Sequence, residues 1–202
     1  MTSRDAPHWD LSNVYPGLES DEFKRAVVQG KAQLDDLDDY LSAHGIWEGG
    51  GLPEGGPAAL AETLSNYLDR MNAVLRLGST LRSYAYSFFA TDSYNTAARR
   101  ILSQLETLGV RIEREEIQFR SWMKTVAEHY ALFHAALEEE GSAGRHAFYL
   151  METAEQSRYL MSTPEETLAA ELSLSGARAW QKLQGVVTSQ VKVPFARDGQ
   201  VQ

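Results

Sequence analysis

The chain has 202 residues, 43% of them apolar and 23% charged, with a net charge of −9 and a pI near 5.1. That length can bury a real core, while the acidic balance repels a phosphate backbone and anionic lipid, which argues against nucleic acid and membranes as partners. Cysteine is absent, which excludes a disulfide scaffold, a thiol nucleophile, a zinc finger and an iron–sulfur cluster. No stretch nears the ~20 consecutive apolar residues of a membrane span, and Met1 to Trp9 has no secretion-like apolar run. Cytoplasm is the expected compartment.

Residues 1–19 read as an arm. Trp9, Leu11, Val14, Tyr15 and Leu18 lie in a non-periodic terminal stretch, and so many large apolar groups are expected to pack rather than dangle in water. Ser20 is a good helix N-cap, and Asp21 and Glu22 suit the positive end of the helix dipole. Phe23, Val27, Gly30, Leu34, Leu37 and Leu41 then recur at spacings of four and three, one stripe of an amphipathic helix. Asp35, Asp36, Asp38 and Asp39 flank it, and Gly45 is the expected C-terminal stop.

The run from Gly49 to Pro57 holds five glycines and two prolines and reads as a loop. A phosphate cradle would need Lys-Ser or Lys-Thr after it, whereas Ala58, Ala59 and Leu60 follow. Two long helical patterns come next. One carries Leu60, Leu64, Leu68, Met71, Leu75, Gly78, Leu81, Ala85 and Phe88; the other carries Ala97, Ile101, Leu105, Leu108, Ile112, Phe119, Trp122 and Val126. Thr91-Asp92-Ser93 separates them, so an antiparallel hairpin of helices roughly 45 Å long is expected.

Helix continues from Val126 to about Glu140 and from Gly144 or Arg145 to about Leu160, with Gly141 to Gly144 between. Thr163-Pro164-Glu165-Glu166 has the form of a capping box with proline at the first helical position. A further helix is expected from Ala177 to Thr188. Val191, Val193 and Phe195 then alternate with Lys192 and Pro194, and Arg197-Asp198-Gly199 offers a turn before Val201. This reads as the opening of a β-hairpin. A hairpin left unfinished is marginal in water, so the chain is expected to be cut from a longer one. The expected fold is all-α, stacked antiparallel helical hairpins with the start of a β-hairpin at the C-terminal end.

No self-sufficient catalytic or metal site is expected. None of His8, His44, His129, His134 or His146 is followed by Glu, so the H-E-x-x-H zinc helix is missing. His129 and His134 diverge by roughly 140° on a helix. His134 and Glu138, four apart, read as a surface pair. No Glu stands three positions before a His, which removes a di-iron bundle, and no G-x-S-x-G elbow is present. The carboxylate runs Asp35-Asp36, Asp38-Asp39, Glu115-Glu116 and Glu138-Glu139-Glu140 read as solvated faces. The densest aromatic patch, Tyr84-Ala85-Tyr86-Ser87-Phe88-Phe89, covers most of a helix circumference. Part of it is expected in the core, and part is open to another element, a peptide or a ligand.

Three stretches resemble oligoendopeptidase F-like enzymes of the M3 (thimet oligopeptidase-like) zinc metallopeptidases. They are His8-Trp9-Asp10-Leu11-Ser12-Asn13-Val14-Tyr15-Pro16-Gly17-Leu18 running on to Phe23, the segment Tyr84 to Ala97, and Glu171-Leu172-Ser173-Leu174-Ser175-Gly176-Ala177-Arg178-Ala179-Trp180 running on to Ser189. The resemblance implies a helical N-terminal domain over 20–190 that walls one side of a peptide channel, and a junction at 191–202 to a catalytic domain lying outside these residues. That missing domain would hold the zinc, whose bound water attacks the peptide carbonyl with the motif Glu as base. The implied partners are this catalytic domain and, through it, oligopeptides. Apolar surface at a cut end would also favour self-association. Two rivals compete with this reading: a free-standing scaffold that dimerises through the Phe23–Leu41 stripe, and a helical bundle that binds a small molecule at Tyr84–Phe89.

Overall fold

The hydroxyl of Ser20 accepts a 3.2 Å hydrogen bond from the Phe23 N–H, and helix α1 runs from there over Asp21–Ala43. Its end is a Schellman turn. Gly45 takes φ +67°, and the Ile46 N–H reaches back 3.0 Å to the Leu41 carbonyl. Leu41 and Ile46, the apolar pair that accompanies such a turn, are both fully buried.

These features belong to a computed structural model, which describes residues 10–92, 94–161, 165, 168–169, 172–173, 175–189, 191, 196–197 and 200–201. Seven helices lie among them: α1, then α2 (Gly56–Thr91), α3 (Thr96–Glu128), α4 (Tyr130–Leu137), α5 (Ser142–Arg145), α6 (Ala147–Ser157) and α7 (Ala177–Ser189). The all-α expectation holds, and no described helix is long and apolar enough to cross a membrane. The contacts divide the chain into two units, Met1–Arg158 and Tyr159–Gln202.

In the first unit α2 is the hub. It packs on α1, α3, α4 and α5, while α3 packs in turn on α6. At 36 and 33 residues, α2 and α3 extend about 54 and 50 Å. Each starts with local chemistry that blocks the preceding chain from continuing the helix. Gly55, at φ +116°, precedes α2, which has proline in its first turn. Asn95 caps α3 by accepting from the Ala98 N–H at 2.9 Å. The α1 stripe is spent inside this unit: Phe23, Leu34, Leu37 and Leu41 are at most 2% exposed. Each such side chain contributes about 1.5–3 kcal/mol when fully buried. Gly30 sits beside Leu77 and Leu81 of α2. The stripe is therefore not a free surface for a dimer.

Four expectations need correction. Leu75 is 41% exposed and Val74 takes its place in the core at 3%, because Met71, Val74 and Leu81 follow the buried face more closely. The helix expected from Val126 to Glu140 is interrupted at His129, where α3 ends and α4 starts. The glycine separator 141–144 holds a single helical turn, α5, rather than a plain break. Helix α2 also begins at Gly56, inside the expected loop.

That loop and the turn before it are held by α3 through their carbonyls. Trp122 Nε1–H donates to Gly51 O at 3.0 Å, and Gln118 Nε2–H donates to Ile46 O at 2.8 Å. Two indispensable backbone groups thereby find donors from α3, and nothing in this arrangement favours a phosphate.

In the second unit α7 presents Trp180, Leu183 and Val187 at half or more exposure. Ala196 pairs with Val201 and Arg197 with Gln200, antiparallel, so Arg197, expected in the turn, stands in a strand instead. The Thr163-Pro164-Glu166 part of the capping box, Val193, Phe195, Asp198 and Gly199 lie outside the described residues.

Candidate functional site: two faces of an aromatic helix end

The aromatic run near the end of α2 divides between two faces, as a 100° step per residue requires. Tyr84 and Ala85 turn inward, at 4% and 0% exposure. Tyr84 Oη–H donates to the Tyr15 carbonyl at 2.7 Å. The Tyr15 and Tyr84 rings meet edge-on at 5.1 Å, with Phe23 and Phe88 completing the cluster. Burial pushes the phenols of Tyr15 and Tyr84 above their ordinary 10.0, with Tyr15 adding to the effect at Tyr84. The arm is thus pinned at Tyr15. A cleft of about 780 Å³ runs beside this contact, between Leu11 and Pro16 of the arm and Phe88, Thr91 and Asn95 of the hairpin. Asp10, whose carboxylate lies lower than its ordinary pKa because it accepts from the Ser12 N–H, sits at its edge.

Tyr86 and Phe89 turn the other way. Tyr86 is 56% exposed, and the two rings lie 6.1 Å apart. With Arg82 they face Arg99, Leu102 and Leu105 of α3 across a second groove of about 300 Å³.

The histidines do not converge. His129 Nδ1–H donates to the Thr125 carbonyl at the end of α3, and His44 Nδ1–H donates to Tyr40 O while its ring stacks on Tyr40 at 4.0 Å. His134 packs on Tyr130 and Phe133, and Glu138 follows as the cap of α4. Among the described residues no group of three or more His, Asp or Glu side chains is arranged to hold a metal ion.

The acidic runs are mostly what their pattern suggests, with one exception. Asp35, Asp36 and Asp38 of α1 are solvated but reach across to Arg111, Arg70 and Arg114 at 2.8, 3.0 and 3.3 Å, where exposure limits each pair to about 1 kcal/mol or less. Glu115 instead is fully buried, which overturns its reading as part of a solvated face. Its Oε1 accepts from Arg114 Nε–H and Nη2–H at 3.2 and 2.7 Å, and its Oε2 has no hydrogen-bond partner among the described residues. Tyr67, also buried, stacks on Phe119 at 3.6 Å. Its hydroxyl, near Tyr149, Glu116, Arg120 and Glu115, is likewise unpartnered among the described residues, and burial raises its pKa strongly. Acidic spacing alone gives no sign of either buried group.

Residues 126–192 match the family model of oligopeptidase F, the peptidase M3 N-terminal model. This stretch is similar to the N-terminal domain of M3-family peptidases. The match covers about a third of the chain, from the end of α3 through α7. It takes in the resemblance at Glu171–Ser189 and lies outside those at His8–Phe23 and Tyr84–Ala97. No curated protein and no solved structure matches the chain.

Proposed function

We propose that this chain is a non-catalytic helical N-terminal domain of an M3-type zinc metalloendopeptidase, and that it forms wall or lid of a channel admitting oligopeptides. The family match over 126–192 carries the reading. Two features support it. The α1 stripe that a dimerising scaffold would use is consumed by α2 and α3. The aromatic end of α2 meanwhile offers open apolar clefts on both faces, a surface suited to extended peptide more than to a buried cofactor.

The zinc, the water it activates and the residues that polarise the carbonyl would come from a catalytic domain outside this chain. This domain's contribution is shape: it limits access and moves with the catalytic half as substrate enters. The experiment is direct. The purified 202-residue chain is assayed for bound zinc by elemental analysis and for cleavage of a quenched fluorescent oligopeptide. Neither is expected. Stoichiometric zinc together with chelator-sensitive cleavage would falsify the reading.

A further inference from the structure

Three features meet in the outer groove of the α2–α3 hairpin. Its apolar lining comes from Tyr86 and Phe89 of α2 and Leu102 and Leu105 of α3. Tyr86 stays 56% exposed although Tyr84 and Ala85 beside it are buried. Arg82 and Arg99, one from each helix, line the same groove, and neither guanidinium makes an ion pair or hydrogen bond among the described residues. Arg70, Arg100, Arg111 and Arg114 by contrast each hold a carboxylate.

In a chain whose net charge is −9, acidic partners are in excess, so two guanidiniums left open at one apolar groove form a local field of the opposite sign. Glu106 lines the groove as well and offsets one of the two positive charges. The remainder favours a single anionic group, and a guanidinium fork suits the planar geometry of a carboxylate.

We propose that this groove binds the C-terminal end of an oligopeptide: Arg82 and Arg99 pair with its terminal α-carboxylate, and an apolar or aromatic last side chain enters between Tyr86, Phe89, Leu102 and Leu105. The volume, about 300 Å³, accommodates one such residue and not a folded partner. The inference rests on the reading above that the chain faces oligopeptides, and it adds which end of the peptide is recognised and where.

The test titrates the isotope-labelled 202-residue chain with N-acetyl-Ala-Gly-Leu-Phe as the free acid and as the C-terminal amide, following backbone amide shifts. The free acid should perturb residues 82–106 saturably and lose affinity with added salt. The amide, and the Arg82→Gln and Arg99→Gln chains with the free acid, should each bind about tenfold more weakly, the loss of one charge-assisted contact. Equal affinity for acid and amide overturns the proposal, as do shifts centred away from the groove. An amidated peptide with an internal Asp that binds as well as the free acid also overturns it, because the terminal carboxylate is then not what is recognised. Cleavage of the peptide by this chain would sink the channel-wall reading and leave the groove standing, so the two failures are distinguishable.

Discussion

Tyr84 of α2 and Tyr15 of the arm are joined twice, by a 2.7 Å hydrogen bond from the Tyr84 hydroxyl to the Tyr15 carbonyl and by an edge-to-face ring contact at 5.1 Å. The two residues are 69 positions apart. Tyr84→Phe keeps the ring and removes the donor, so the chain should lose about 1 kcal/mol. Urea unfolding measures the loss, and hydrogen exchange should show it concentrated at residues 11–18. A variant with wild-type stability and unchanged exchange would mean that the rings alone hold the arm.

The buried tyrosines make a pH prediction. Tyr15, Tyr40, Tyr67 and Tyr84 all have phenols raised above their ordinary 10.0 by burial, Tyr40 despite the opposing pull of Arg70 and of the Thr63 side chain. The neutral phenol is the form the fold prefers. Their contribution is fully present below pH 10 and declines above it, because the unfolded chain releases those protons first. Stability should therefore be flat from these groups at pH 7–9 and fall beyond about pH 10. Tyr67→Phe should flatten the fall without loss at pH 7, since its hydroxyl has no hydrogen-bond partner among the described residues. A large loss at pH 7 would contradict that assignment.

Glu115 is buried while Arg114, its partner, is 59% exposed. Glu115→Met keeps most of the volume, removes the orphaned Oε2 and leaves Arg114 with Asp38 and water. A one-sided deletion of a buried pair is costly when it strands a buried charge, and here the stranded charge is solvated. Stability in chemical denaturation should therefore stay within about 1 kcal/mol of the parent or rise. A loss of about 3 kcal/mol or more would show the carboxylate to be structurally required.

Three glycines separate shape from propensity. A Cβ at Gly50 would stand 1.9 Å from the Gly45 carbonyl oxygen, one at Gly51 meets nothing, and one at Gly30 meets Leu77 and Leu81 at an ordinary 3.7 Å. Gly50→Ala must therefore shift the backbone of the turn, and a lowered melting temperature is expected. Gly51→Ala should be nearly silent. Gly30→Ala, in the middle of α1, should gain about 0.5–1 kcal/mol from helix propensity and a less flexible unfolded chain. A destabilised Gly30→Ala chain would mean that α1 and α2 lie closer than the contact distances indicate.

Local chemistry along the sequence determined where α1 begins and ends and where α2 gives way to α3, but not the break at His129, the turn of α5 or the start of α2. Ser20 as a cap and Gly45 as a stop act through atoms within about four residues, and both appear in the structure where their pattern places them; of the expected Thr91-Asp92-Ser93 break, Thr91 is the last residue of α2 and Asp92 its cap. The all-α architecture and the long α2–α3 hairpin follow from the same short-range periodicity. Tertiary structure alone decided which of two similar neighbours is buried: Glu115 over the half-buried Glu116, Val74 over Leu75, Tyr84 over Tyr86. It also decided that the glycine loop is tied down by Trp122, 71 positions away from Gly51. Burial is set by what arrives from distant segments, and no spacing inside one helix encodes the crossing that brings them together.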